Sequence, residues 1–144
     1  MSTPNTPSSG RTQGLRPRDT LRTLLRWLAA LLFVGVGISH FTHADLFVGI
    51  MPPWLPWHLE LVWISGFFEI AGGIGLLVPR TRRAASWGLI ALLIAVFPAN
   101  IHMALHQVPL GDMQPNPVAL WGRLPLQAVF IAWVWWVGRE RSSA

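Results

Sequence analysis

Four apolar stretches, Leu21–Phe41, Leu59–Val78, Ala84–Met103 and Pro117–Val137, dominate this chain. Each is roughly 20 residues long, the length an α-helix needs to cross about 30 Å of hydrocarbon at 1.5 Å per residue. Hydrocarbon offers no water to backbone N–H and C=O groups, so each stretch must close its own hydrogen bonds as a helix. The expected fold is all-α: an integral membrane antiparallel four-helix bundle over residues 21–138. Composition agrees, because the 144 residues are 52% hydrophobic and 12% charged. That is about half the charge density that covers a soluble domain.

Arginine placement sets the expected orientation, since basic residues near span ends are retained in the cytoplasm. Arg11, Arg16, Arg18, Arg22 and Arg26 precede or open the first span, Arg80, Arg82 and Arg83 fill the connection between the second and third, and Arg139 and Arg141 follow the fourth. The other two loops, residues 43–58 and 104–116, carry Asp45 and Asp112 and no arginine. Both termini are therefore expected in the cytoplasm. Residues 1–20, rich in Ser, Thr, Pro, Gly and Arg, read as a disordered basic tail, and residues 139–144 as a short cytoplasmic tail. The first span has a charged approach and Thr42-His43-Ala44 loosely resembles a cleavage site, but the preceding polar tail is long for a signal peptide.

The same charge pattern argues against a nucleic-acid partner, because the basic clusters lie beside span ends, where anionic lipid headgroups attract them. The lipid bilayer is the expected surrounding. With no cysteine, disulfides, thiolate metal sites and a Cys nucleophile are excluded. Trp27, Trp54, Trp57, Trp87, Trp121, Trp133, Trp135 and Trp136 lie mostly near span ends and read as headgroup-level anchors. Pro79 should stop the second helix after Val78, and Asn116 before Pro117 should cap the fourth. The loop IMPPWLPWHLE, with Pro52, Pro53 and Pro56, should form no long helix and should lie across the bundle mouth.

Ionisable side chains inside a span are site candidates, and Glu69 near the middle of the second is the sharpest. An acidic group there costs about 3 kcal/mol, against about 3 to 6 kcal/mol from the surrounding Leu, Ile, Val and Phe residues. Glu69 should therefore face protein, be neutral, or both. At 100° per residue, Val62, Ser65, Gly66, Gly72, Gly73 and Leu76 share its face, while Ile64, Phe67 and Ile74 lie opposite. Small residues on that face let a neighbouring helix approach closely. Glu69 then either ties two helices together or serves as a proton-linked or ligand-binding carboxylate.

The remaining polar groups gather toward the arginine-free end. His40 and His43 close the first span, Glu60 opens the second, Asn100, His102 and His106 end the third, and Arg123 and Gln127 begin the fourth. His40, Glu69, Asn100, His102, Arg123 and Gln127 are the ligand-binding candidates, expected around a polar, outward-opening cavity. Asn100 lies about 160° from His102, so one helix can aim both at a single point only if Pro98 redirects it. Pro98 also frees the Ile94 carbonyl, and Asn100 could belong to that local repair. Arg123 could pair with Glu60, hold a lipid phosphate, or meet an anionic or quinone-like ligand. The His40/His43 and His102/His106 spacings are compatible with metal or haem ligation, but no HExxH and no two-carboxylate set completes a site. No metal is assigned. P-loop, GxGxxG and GxSxG patterns are missing, and the GGIG glycines read as packing.

The segments FTHADLFVGIMPPWLP, ISGFFEIAGGIGLLVPRTRRAASWGLIALL, AVFPANIHMAL and WGRLPLQ together resemble the small DoxX-like membrane proteins of bacteria, over roughly residues 24–137. The resemblance implies a four-helix membrane bundle in the bacterial inner membrane. It also implies a connection with thiosulfate oxidation using quinone, or with maturation of periplasmic redox enzymes. It carries no catalytic residues onto this chain. The leading expectation is a small-molecule-binding or redox-associated membrane subunit, with quinone as the candidate ligand and a periplasmic redox protein or a second copy of the chain as partner. The alternatives are a small proton-linked transporter component, in which Glu69 carries the proton, and a non-catalytic assembly or structural partner. Whether the chain catalyses anything is left open by these residues.

Overall fold

The computed structural model describes residues 17–139. Five helices follow one another: α1 (Pro17–Thr42), α2 (Ala44–Gly49), α3 (His58–Leu77), α4 (Arg82–His106) and α5 (Pro117–Gly138). Four of them, α1, α3, α4 and α5, are long and apolar enough to cross a membrane. They match the four expected spans, with α1 starting four residues early and α4 running three residues further. Pro17 sits at the very start of α1, where a missing N–H costs nothing, so residues 17–20 belong to the helix rather than to the tail. The rest of the expected tail, residues 1–16, and residues 140–144 lie outside the described residues.

Helix ends follow the local chemistry. The Asn116 side chain accepts hydrogen bonds from the backbone N–H groups of Val118 (3.0 Å) and Ala119 (3.4 Å), as an N-cap does. α3 stops at Leu77, and Val78 turns extended because Pro79 follows it. α4 runs through Pro98 and ends at Gln107, which takes a left-handed conformation and returns its N–H to the Met103 carbonyl.

Contacts pair early residues of one helix with late residues of the next, Ala30 with Gly73 and Gly37 with Gly66, and Arg26 of α1 reaches the Val137 carbonyl of α5. The α1–α3 seam is a backbone contact. A Cβ on Gly37 would lie 2.7 Å from the Gly66 carbonyl oxygen, one on Gly66 would lie 2.8 Å from the Gly37 carbonyl oxygen, and one on Gly73 would lie 2.9 Å from that of Ala30. Small residues permit this approach, and van der Waals contact is what holds helices together in lipid. Gly72 receives the Leu89 side chain and Gly75 faces Ala85, which fixes the register of α3 against α4. At the α4–α5 seam the Ser86 hydroxyl donates to the Val134 carbonyl at 3.0 Å, and Gly138 backs directly onto Ser86.

Two apolar clusters fill the interior. Ala29, Phe33, Leu76, Leu89, Ile90 and Val134 pack together across all four long helices. Ile50, Met103, Ala104 and Leu120 form the second at the arginine-free end. The proline-rich connection supplies Ile50 to that cluster and buries Pro52, while Trp54 and Trp57 stay exposed. It does lie over the end of the bundle, and it carries the short α2, which the proline count did not reveal. Leu46 of α2 approaches Gly111, so the two arginine-free connections touch.

Candidate functional site

The face expected around Glu69 is the face that α3 buries. Val62, Gly66, Glu69, Gly72, Gly73 and Leu76 are its buried residues, whereas Ile64, Phe67 and Ile74 are exposed. Glu69 is 8% exposed and His40 of α1 is 7% exposed, and they meet across the glycine seam with His40 Nδ1 3.4 Å from Glu69 Oε2. Gly37 and Gly66 make that meeting possible, because any side chain at either would hold the two helices apart. His40 Nδ1 also lies 2.9 Å from the Val36 carbonyl oxygen. A carbonyl can only accept, so this contact assigns the proton to Nδ1 and leaves Nε2 as the free lone pair of the neutral ring. Phe47 of α2 stacks on the imidazole at 3.8 Å between centroids, fixing its plane.

Glu69 Oε2 is buried and has no hydrogen-bond partner among the described residues. Such an atom is rare in a folded interior, since leaving a buried acceptor unpaired costs about 1–3 kcal/mol. The indole N–H of Trp133 on α5, which packs against the first apolar cluster, is likewise buried without a partner among the described residues. Trp133 is thus half inside the bundle rather than a simple headgroup anchor. Its place among span-end tryptophans hid this, and only the packing of α5 reveals it.

The second pair behaves differently. Asn100 Nδ2 donates to Gln127 Oε1 at 2.9 Å, and Gln127 Nε2 donates to the Leu93 carbonyl. Asn100 therefore reaches across to α5 and does not repair the Ile94 carbonyl freed by Pro98. Gly72 packs on Leu89, so one turn along each helix Glu69 comes level with Leu93, and the two polar pairs occupy the same depth of the bundle.

His102 and Arg123 join neither pair. His102 shares its side of α4 with Ala91, Ala95 and Pro98, all exposed, and its ring lies 4.3 Å from that of exposed His106. A straight helix cannot aim residues 160° apart at one point, and α4 directs Asn100 toward α5 and His102 away. Arg123 is exposed, donates to Met103 Sδ at 3.5 Å, and makes no ion pair with Glu60. At the end where a polar pocket was expected to open, the structure places the Ile50–Met103–Ala104–Leu120 cluster. His43 bonds Thr42 rather than His40. Among the described residues, no three His, Asp or Glu side chains converge as metal ligands would.

What the arrangement can do is narrow. A carboxyl oxygen without a partner can accept a hydrogen bond from a hydroxyl or amide, or donate one when protonated, and His40 offers a second titratable group beside it. The model of one family, described as a domain of unknown function (DUF8561), matches residues 28–138. No curated protein and no solved structure matches the chain.

Proposed function

The chain belongs to the DUF8561 family, whose description assigns no activity, and from its geometry we propose that it is a membrane subunit binding a small amphipathic molecule at Glu69 and His40. A quinone-like ligand is the class that suits the pair. Its ring needs an apolar slot and its oxygens need a partner that can both accept from a hydroxyl and donate to a carbonyl, which a carboxyl beside an imidazole provides. The observation that carries this reading is the partnerless Oε2 of Glu69, buried within a helix of spanning length. A purely structural glutamate would gain by finding a donor, as Gln127 does.

The resemblance to DoxX-like proteins supports the same reading, since it points to quinone-linked redox chemistry near the periplasm. In this proposal the protein sits in the bacterial inner membrane with its arginine-rich end toward the cytoplasm, following the retention of basic residues there. A periplasmic redox protein is then the partner, reached from the end covered by α2.

The test is chemical. Purified in mild detergent, the protein should show a quinone-type ultraviolet absorbance, and its organic extract should be enriched in quinone over the bulk membrane. Glu69→Gln, which keeps size and hydrogen bonding, should lose most of that enrichment while eluting as the wild type does. A wild-type extract with no enriched small molecule would overturn the proposal.

A further inference from the structure

The arginine-rich end contains a second feature, unrelated to Glu69. Arg26 of α1 donates from Nε to the Val137 carbonyl at 3.1 Å, and Arg82 of α4 donates from Nε to the Leu76 carbonyl at 3.0 Å and from Nη2 to that of Leu77 at 3.4 Å. Arg22 donates to the carbonyls of Trp136 (2.6 Å) and Arg139. These carbonyls are the ones that the ends of α3 and α5 leave without helical partners. The arginines thus cap two helices in trans, and in doing so are held near one another: Arg26 lies within electrostatic reach of both Arg82 and Arg22.

Like charges brought together this way repel, and the partial negative charge of two helix C-termini offsets only part of that repulsion. Among the described residues, neither Arg26 nor Arg82 has a carboxylate within ion-pair distance. Among the described residues, the terminal nitrogens of Arg26 and Nη1 of Arg82 bond no acceptor, and they are not sealed from the surface. Both side chains are half-buried and fixed in direction, unlike exposed Arg80 and Arg83, whose side chains bond nothing among the described residues. Beside them, Trp27, next to Arg26 on α1, and Trp136, next to Val137 on α5, present exposed aromatic surface.

We propose that Arg26 and Arg82 form a binding site for the phosphodiester of an anionic phospholipid whose acyl chains run along Trp27 and Trp136. Planar guanidinium groups suit phosphate oxygens, and the pre-ordered fork loses little freedom on binding. The apolar flank selects a lipid over a free anion, and basic sites between membrane helices hold lipid headgroups in this manner.

Native mass spectrometry of the full chain in mild detergent tests this, with phosphatidylglycerol, phosphatidylcholine and inorganic phosphate as separate probes. Phosphatidylglycerol should be retained about tenfold better than phosphatidylcholine, and equimolar inorganic phosphate should not displace it. Arg26→Gln with Arg82→Gln should erase the preference, whereas Arg80→Gln with Arg83→Gln, an equal loss of charge, should keep it. Arg26→Lys, which retains the charge without the fork, should weaken retention several-fold even if the double variant fails to fold. Equal retention of the two lipids by the wild type sinks the proposal. Displacement by phosphate would make the site one for a free anion, and equal loss in the Arg80/Arg83 variant would reduce it to diffuse surface charge.

Discussion

Between α1 and α3, Glu69 is buried with one oxygen that nothing among the described residues bonds, whereas between α4 and α5 the amides of Asn100 and Gln127 bond each other and the Leu93 carbonyl. Both seams lie at the same depth in the same apolar surroundings, so the difference is not one of solvent. It is one of helix spacing. Glycines bring the α1 and α3 backbones into contact, and at that distance Glu69 and His40 face each other with no other polar side chain between them. α4 and α5 make their tight contact at the other end, where Gly138 backs onto Ser86, and around Gln127 two amides and the Leu93 carbonyl arrange donors onto acceptors. A satisfied pair holds a structure together, and an unsatisfied one is available to something else.

The comparison breaks most sharply if the glycine seam is filled. A Cβ at Gly66 would meet His40 Cβ at 2.7 Å, the Gly37 carbonyl oxygen at 2.8 Å and Phe41 at 2.9 Å, and backbone cannot yield as a side-chain tip does. Gly66→Val should therefore cost about 3 kcal/mol or more, read as an earlier thermal transition by circular dichroism in detergent. Gly88→Ala, where nothing lies within 4 Å, should leave the transition unchanged or slightly raised.

A smaller effect is expected at the satisfied seam. Gln127→Leu leaves Asn100 without its acceptor and should cost about 1 kcal/mol, the scale of interhelical hydrogen bonds in membranes. Combining it with Asn100→Leu should recover part of the loss, because an apolar pair removes the unmet donor as well. Additive losses in this cycle would mean that the two amides do not act as a unit.

The smallest stability change should come from Glu69→Gln, under about 1 kcal/mol, since no bond to Oε2 exists to be lost. This is the variant for which ligand enrichment and stability should separate. If Glu69→Gln destabilised the protein as much as Gly66→Val does, the carboxyl would be a structural tie and the contrast between the seams would disappear.

Within each helix, much of the local structure is legible in the residues alone. Apolar run length set the four spans, Asn116 and Pro79 set two helix ends, and the 100° step identified the buried face of α3 down to its glycines. These properties are local, because helix geometry ties each side chain to its neighbours three and four residues away. Which polar residues meet was decided by the tertiary structure. His40 finds Glu69 and Asn100 finds Gln127, while His102 and Arg123, which lie near the same two arginine-free loops, join neither pair. Periodicity fixes the angle between two residues on one helix but not the rotation and height of that helix against the next. Those are set by close glycine contacts between residues far apart in the chain, and by a proline-rich connection that drops Ile50 into the mouth of the bundle.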